Sequence, residues 1–296
     1  MKYTFKDFKT EYPDDAACLS AIMESRYGGT EFICPSCNAR SKFHMMSKRR
    51  AYACQNCGHH IYPCAGTIFE KSRTKLTDWF FAMYLMTSTR HGVAAKELQR
   101  QLGCTYKTAW RMAHELRKLM AQADEHGPLS GHVEIDEAYI GGKRKGGKHK
   151  GITGRGADKT PVFGMVERGG PLRAGPIPDV SRKTTHQIIT RNIQRGSIVS
   201  TDEWPAYANL GKIGYQHGRV CHGAKEYVRG IHHVNNLENF WGQLKRGIRG
   251  TNIHVSKKHL WKYVSEYAFR YNMRKEQSAM VSCLIDALSL PRLTDA

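Results

Sequence analysis

The chain has 296 residues, with 46 Lys and Arg against 26 Asp and Glu, so its formal charge at pH 7 is +20. This length and a hydrophobic content of 40% predict two or three folded domains and exclude a disordered polypeptide. The excess positive charge is spread along the chain, which favours a polyanionic partner; the alternative is a basic protein without a nucleic-acid role.

The sequence gives no sign of export or of membrane insertion. It contains no run of about eighteen apolar residues, and its N-terminal stretch lacks the apolar segment of a signal peptide. Nine cysteines are present, an odd number that argues against a disulfide scaffold. We therefore expect a cytoplasmic protein, associated with the nucleoid if its polyanionic partner is DNA.

Residues 1–70 are predicted to form a short lead-in followed by a zinc ribbon. The ligands come from two CxxC pairs with 16 residues between them: Cys34, Cys37, Cys54 and Cys57. Four thiolates complete a tetrahedral Zn²⁺ site and leave no open position, so this zinc is expected to be structural. His59, His60 and Cys64 are spare candidates that a four-cysteine site does not need.

Residues 71–127 are predicted to be helical. One helix has its apolar face at Leu76, Trp79, Phe80, Met83 and Met86. A short helix then ends at Gly103 and another begins near Thr105, which is typical of a helix-turn-helix. In this last helix we expect Tyr106, Ala109, Trp110, Ala113 and Leu116 to face inward. Lys107, Thr108 and Arg111 would face outward and contact DNA, although a plain three-helix packing unit fits the same pattern.

The polar segment 122–128 marks a domain boundary, after which residues 128–296 read as an α/β domain. A strand over 132–140 alternates Val133 and Ile135 against Glu134 and Asp136, so Asp136 should lie on the face opposite the two aliphatic residues. A glycine-rich loop follows, and a second strand covers 161–167. The loop carries basic candidates for DNA contact, namely Lys143, Arg144, Lys145, Lys148 and Lys150. A solvated loop without a role is the alternative.

Two further acidic positions stand out in this domain. A helix over 184–195 precedes a short strand over 197–202 that ends at Asp202, where α/β sheets tend to place chemistry. A helix over 233–246 then has its apolar face at Leu237, Phe240, Trp241, Leu244 and Ile248. Glu238 and Lys245 lie along its edge, in the arrangement of an ordinary surface helix or of a functional one. Helices over 260–271 and 280–290 complete the chain.

Asp136, Asp202 and Glu238 could form one site. Three carboxylates brought together repel one another, and hard divalent cations with oxygen ligands would offset that repulsion. Two Mg²⁺ ions held in this way can drive an in-line displacement at a phosphate without a covalent intermediate.

Specific motifs connect these positions: EIDEAYIGG at 134–142, STDEWPAY at 200–207, YVRG at 227–230, VNNLENFW at 234–241, LKRG at 244–247 and FRYN at 269–272. Together with the cysteine pairs they closely resemble the zinc-ribbon DDE transposases of bacterial insertion sequences, the group related to the Merlin elements of eukaryotes. The resemblance extends over almost the whole chain.

The resemblance implies a ribonuclease-H-like catalytic domain, with a mixed sheet flanked by helices, that holds two Mg²⁺ or Mn²⁺ ions on Asp136, Asp202 and Glu238. Lys245 would contact DNA near the cleaved phosphate, and Arg246 and Arg249 would add contacts from the same helix. Some members of the group place Asn in the third metal-binding role, which makes Asn235 the rival of Glu238.

The implied reaction is binding of terminal inverted repeats, cleavage that leaves a 3′-hydroxyl, and its transfer to target DNA within an oligomeric complex. The alternative is a transposase-derived protein that binds DNA without cutting it. A zinc-dependent hydrolase is disfavoured because four cysteines close the zinc site.

Overall fold

The computed structural model describes residues 3–141 and 159–293, and the chain divides into two units. One unit comprises Met1–Ala123 with Met273–Ala296, and the other comprises Asp124–Asn272. This division joins the ribbon and the helical region, which the sequence had separated at residue 70. It also places residues 273–296 outside the unit that contains the large sheet. None of the helices in the described residues is both long and apolar enough to cross a bilayer.

The first unit combines helices with a small antiparallel sheet. Its elements are α1 (Phe5–Glu11), α2 (Asp15–Tyr27), β1 (Glu31–Ile33), β2 (Arg40–Met45), β3 (Tyr52–Cys54), β4 (His60–Ile61), α3 (Leu76–Ser88), α4 (Ala95–Leu102), α5 (Tyr106–Ala123) and, from the end of the chain, α9 (Met280–Asp286). The sheet order is β1-β2-β3-β4. Helix α9 packs with α2, α3 and α5.

The predicted helix-turn-helix geometry is present between α4 and α5. Gly103 ends α4 with φ of 61°, a left-handed conformation that glycine adopts without steric cost. The predicted inward face of α5 was partly wrong, because Tyr106 is 51% exposed and Trp110 is 36% exposed. The buried side of α5 runs through Ala109, Met112, Ala113, Leu116, Leu119 and Met120, and the two aromatic residues lie at the edge of that stripe.

The second unit is built on a five-stranded mixed sheet. Its elements are β5 (His132–Ile140), β6 (Thr160–Glu167), β7 (Leu172–Pro176), α6 (Arg182–Asn192), β8 (Ile198–Thr201), β9 (Gln216–Arg219), α7 (Asn235–Gly247) and α8 (Leu260–Asn272). The sheet order is β7-β6-β5-β8-β9, with β5 to β7 antiparallel and β8 and β9 parallel to β5. The predicted mixed sheet is confirmed, as a three-strand antiparallel meander extended by two parallel strands.

Helices cover both faces of this sheet. On one face α7 and α8 pack against Ala138, Val162 and Val166. On the other face α6 packs against Val133 and Ile135. The predicted apolar face of α7 is confirmed, since its members are all buried: Leu237, Phe240, Trp241, Leu244 and Ile248. The alternation along β5 therefore places Asp136 on the α7 side.

A glycine on β6 allows α7 to lie close to the sheet. Gly164 pairs with Asp136 across the ladder, and a Cβ built there would lie 2.6 Å from the Trp241 indole and 2.9 Å from Leu237 Cδ2. The indole is also fixed by a hydrogen bond from its Nε1 to Asp136 Oδ2. A side chain larger than that of glycine would force the Trp241 ring, Leu237 or the helix itself to shift.

We expect Gly164→Ala to destabilise the protein by about 1–3 kcal/mol, because the added methyl group overpacks a fixed contact. Thermal unfolding would show this as a lower Tm. Gly175→Ala on the adjacent strand β7 is the matched control, since no atom lies within 4 Å of a Cβ built there. Equal Tm shifts for the two variants would contradict the close packing of Trp241 on Gly164.

Candidate active site

Three carboxylates converge just beyond the last residues that pair β5 with β8. Strands β5 and β8 pair with Glu134 opposite Ser200, and Asp136 and Asp202 each lie two residues farther along. The structure brings together carboxylate oxygens of Asp136, Glu137 and Asp202, all within 4.8 Å of one another. Asp136 and Asp202 thus meet as the sequence predicted, and Glu137 joins them.

Hydrogen bonds orient these carboxylates. Trp241 Nε1 donates to Asp136 Oδ2 at 3.0 Å, and the Tyr207 hydroxyl donates to Glu137 Oε2 at 2.5 Å. The Asp202 side chain accepts from the backbone N–H of Trp204 at 2.9 Å, which holds it in a turn just after β8. Helix α7 and the segment after β8 therefore both contribute to the geometry of the group.

The site concentrates negative charge. Burial raises the pKa of Asp136 well above its ordinary value of 3.8, and the neighbouring charges of Glu137 and Asp202 raise it further. A divalent cation would offset both effects, because it replaces lost hydration and neutralises the clustered charge. The donor set of carboxylate oxygens fits Mg²⁺ or Mn²⁺.

The remaining predicted residues of this site lie along α7. Among residues 3–141 and 159–293, Glu238 is not part of the three-carboxylate group; its side chain is 47% exposed, and its Oε1 lies 3.9 Å from His222 Nδ1. Asn235 is exposed at the first turn of α7. Lys245 is half-buried near Asp136, and burial lowers the pKa of its ammonium group.

A fully buried carboxylate anchors the start of α7. Glu134 Oε2 accepts from the backbone N–H of Asn236 at 2.9 Å, and Oε1 accepts from the side-chain amide of the same residue at 2.8 Å. Val234, at the helix cap, has no side-chain oxygen to supply this bond. Arg168 Nε lies 2.9 Å from Glu134 Oε1 and offsets its charge, and His233 Nδ1 lies 3.1 Å from the same oxygen. Strand β5 thus positions α7 at Glu134 and at Asp136.

The four predicted zinc ligands also converge. The sulfur atoms of Cys34, Cys37, Cys54 and Cys57 lie within 4.8 Å of one another. Bonds of about 2.3 Å in a tetrahedron place sulfur atoms about 3.8 Å apart, and the Cys34 and Cys57 sulfurs are 3.7 Å apart. The Ser41 hydroxyl, 3.2 Å from the Cys54 sulfur, lowers the pKa of that thiol to about 6, which favours the thiolate that zinc binds.

The predicted DNA contacts of α5 differ in orientation. Lys107 is exposed and Thr108 is half-buried. Arg111 turns inward, where it donates to the Ser72 hydroxyl at 3.2 Å and lies over the Trp79 ring at 5.6 Å. The prediction that Arg111 faces outward was therefore wrong, because an aromatic ring and a hydroxyl of the same unit receive its guanidinium.

Other predicted DNA contacts lie near the large sheet. Arg246 and Arg249 are exposed on α7 and just after it. The loop candidates lie outside the described residues, namely Lys143, Arg144, Lys145, Lys148 and Lys150.

Sequence reasoning overlooked two acidic residues of β5. Strict alternation turns Glu137 away from Asp136, yet carboxylate oxygens of both residues lie within 4.8 Å of one from Asp202. Glu134 was assigned only as a member of the polar face, although its side chain is fully buried. The signal was available in the motif, since three acids within four residues of a buried strand need partners.

Comparison with known proteins agrees with this arrangement. Residues 128–272 match the ISXO2-like transposase domain, and residues 13–60 match the transposase zinc-ribbon domain. A Halobacterium salinarum protein, described as an uncharacterized protein in transposable element ISH50, is 31% identical over 273 residues that cover 86% of this chain and 89% of that protein.

One similar solved structure is the Mos1 transposase paired-end complex with left transposon end. The match covers 70% of this chain and 78% of the Mos1 chain, at 12% sequence identity. Its TM-score of 0.29 is too low to support a conclusion. The two domain matches and the relative from ISH50 confirm the resemblance drawn from the motifs. The chain therefore belongs to the family of ISXO2-like transposases with an N-terminal zinc ribbon.

Proposed function

We propose that this transposase binds the terminal inverted repeats of its insertion sequence, cleaves a strand at each end to leave a 3′-hydroxyl, and joins that hydroxyl to target DNA. The observation that supports it best is the convergence of Asp136 and Glu137, from the middle of β5, with Asp202, just after β8. Such a group has little use in a protein that only binds DNA, because clustered carboxylates repel a polyanion.

Two Mg²⁺ or Mn²⁺ ions, when bound to these carboxylates, would supply activation of the attacking hydroxyl and stabilisation of the leaving oxygen. The protein's own residues would prepare the site. Trp241 holds Asp136 and Tyr207 holds Glu137, so the ligands are oriented before DNA arrives. Lys245 lies near Asp136 and would contact the phosphate next to the cleaved bond.

We propose Glu238 as the third acidic residue of the site, with Asn235 as its rival. The support is positional: α7 contacts Asp136 through Trp241, one helical turn after Glu238. Glu137 is a further candidate, since its carboxylate already lies in the group.

Three variants separate these candidates: Glu238→Gln, Asn235→Ala and Glu137→Gln. We expect Glu238→Gln to reduce Mg²⁺-dependent cleavage by roughly 10³-fold or more, because a lost ligand removes several kcal/mol of transition-state stabilisation. Asn235→Ala should retain cleavage within about tenfold. The measurement is cleavage of labelled end DNA at saturating protein. Full activity of Glu238→Gln would exclude it as a ligand, and loss in one of the other variants would identify the replacement.

The first unit would hold one structural zinc and contact the inverted repeat, through residues that include Lys107 and Thr108. Arg246, Arg249 and the basic loop residues would add phosphate contacts. We also propose that two or more copies act together, because the two ends of an element must be joined to one target.

Binding to end DNA should weaken steeply with salt. Neutralised phosphates release counterions, so a protein that makes six to ten phosphate contacts loses roughly 10³- to 10⁵-fold in affinity between about 50 and 200 mM salt. The formal charge of +20 supplies more than enough cations for that many contacts. Fluorescence anisotropy with labelled end DNA measures it, and an affinity independent of salt would contradict phosphate recognition.

A further inference from the structure

A cationic pocket lies where the end of α7 meets the end of β5. It contains about 490 Å³ of empty space, including the part open to solvent. Lys159, Lys245 and Arg249 line it, and its described lining contains no carboxylate. Burial lowers the pKa of Lys245, and the charges of Arg249 and Lys159 lower it further, although Asp136 opposes them. An anion in the pocket would offset the repulsion among these three cations.

The rim of this pocket carries a strained turn. After α7 the chain continues into a π-helical turn, Ile248–Asn252, and then reverses at Ile253. Ile253 has φ of 63° and ψ of −55°, and the His254 N–H donates to the Asn252 carbonyl at 2.6 Å. These features define a γ-turn of the rare, strained kind. A positive φ at a β-branched residue is a true outlier.

Neither backbone preference nor packing explains an isoleucine at this position. Its side chain is 83% exposed, the largest exposed fraction of any large apolar side chain in the described residues. Glycine or asparagine would adopt this φ at a lower cost. Strained backbone conformations concentrate at functional sites. The strained conformation of this exposed apolar residue therefore indicates that Ile253 takes part in binding.

We propose that the pocket binds a backbone phosphate of the DNA end and that Ile253 inserts between the adjoining bases and unstacks them. This inference rests on the proposed function. Apolar side chains such as isoleucine enter base steps and kink the duplex, and cations hold the phosphates beside the distorted step. Unstacking here would expose the strand that must enter the active site.

The surroundings of Ile253 favour DNA over a protein partner. A protein interface needs an apolar patch with few charges at its centre. Ile253 instead stands beside a pocket lined by three cations. Lys245 belongs to the same helix as Trp241, which contacts Asp136, so the unstacked step would lie close to the cleaved bond.

The test places 2-aminopurine, whose fluorescence rises on unstacking, at successive positions across the end of the element, with Ca²⁺ in place of Mg²⁺ to prevent cleavage. We expect wild-type protein to raise the fluorescence at one step. Ile253→Gly should abolish this rise, whereas Ile253→Leu, which retains an apolar side chain, should keep most of it. Because Ile253 is exposed, both variants should keep the wild-type Tm, or exceed it where the strain is relieved.

Cleavage provides the second readout. On fully paired ends, Ile253→Gly should cut at least about tenfold more slowly, and a mismatch at the unstacked step should restore most of the rate. Arg249→Gln should instead weaken binding to paired and mismatched DNA alike. It should also reduce the slope of log affinity against log salt concentration by about one, which corresponds to the loss of one phosphate contact.

Three results would overturn the inference while the wild type still cleaves: no fluorescence rise at any step, an equal rise with Ile253→Gly, or a change of oligomeric state as the only effect. The last would show that Ile253 contacts another copy of the chain. If the wild type neither binds nor cuts end DNA, the proposed function itself fails.

Discussion

Asp136→Asn is expected to abolish strand cleavage, to leave the affinity for end DNA within a few-fold of wild type, and to stabilise the metal-free protein. Cleavage should fall by at least roughly 10³-fold, because a neutral amide is a poor ligand for a hard divalent cation. DNA binding should persist because its energy comes from cationic contacts elsewhere. Gel-based cleavage and anisotropy on the same DNA measure the two effects.

The stability effect follows from the raised pKa of Asp136. Burial and the charges of Glu137 and Asp202 raise that pKa in the folded state above the ordinary value of 3.8. The stability associated with the protonated carboxyl is therefore present at low pH and is lost as the pH rises through the raised pKa. An amide does not ionise, so Asp136→Asn avoids this loss of stability at neutral pH. Without metal, the Tm of Asp136→Asn at neutral pH should therefore exceed that of wild type by a few degrees.

Glu125→Gln is the control, since Glu125 is an exposed carboxylate of the same unit. It should leave cleavage and Tm unchanged. Mg²⁺ should raise the Tm of wild type and of Glu125→Gln but not that of Asp136→Asn. Retained cleavage by Asp136→Asn, or equal stabilisation of all three proteins by Mg²⁺, would contradict the metal-binding role of Asp136.

Removal of zinc should unfold the ribbon. Metal binding contributes about 10–16 kcal/mol to small structural zinc domains, and the short strands β1 to β4 bury little apolar surface of their own. Cys37→Ser or a strong chelator should expose residues 31–61 to proteases. It should also weaken binding to end DNA by tenfold or more, which corresponds to about 1.4 kcal/mol or more. Limited proteolysis and zinc analysis provide the measurements.

Cys104→Ser is the matched control, because Cys104 is a thiol of the same unit outside the four-cysteine group. Its zinc content should stay at one per chain. A Cys37→Ser protein that kept its zinc and a protease-resistant ribbon would exclude the four-cysteine site.

The sequence predicted the elements whose apolar pattern is strong. The face of α7 from Leu237 to Ile248 followed helical periodicity, and the whole stripe is buried against the sheet. Strands β7 and β9 escaped prediction because they are short. Strand β9, Gln216–Arg219, is also polar and depends on pairing with β8. Such strands are determined by their neighbours rather than by their own residues.

The candidate site was predictable in part. Asp202 follows the end of β8, where α/β sheets tend to place chemistry, and it meets Asp136 because β8 pairs parallel with β5. The motif indicated that Glu134 needs a partner but not which residue it is, since Asn236 lies 102 residues away. The inward turn of Arg111 likewise depends on Trp79, which belongs to another helix.

The most direct test of the central claim uses labelled DNA that carries one end of the insertion sequence with its flanking host DNA. The full-length protein is incubated with this DNA in Mg²⁺, in Mn²⁺ or in EDTA. We expect a cut at the boundary of the element that leaves a 3′-hydroxyl in either metal and no cut in EDTA, with Asp202→Asn inactive throughout. If wild-type protein binds the end DNA but makes no cut in either metal, the chain is a DNA-binding protein without catalysis and the proposed function is wrong.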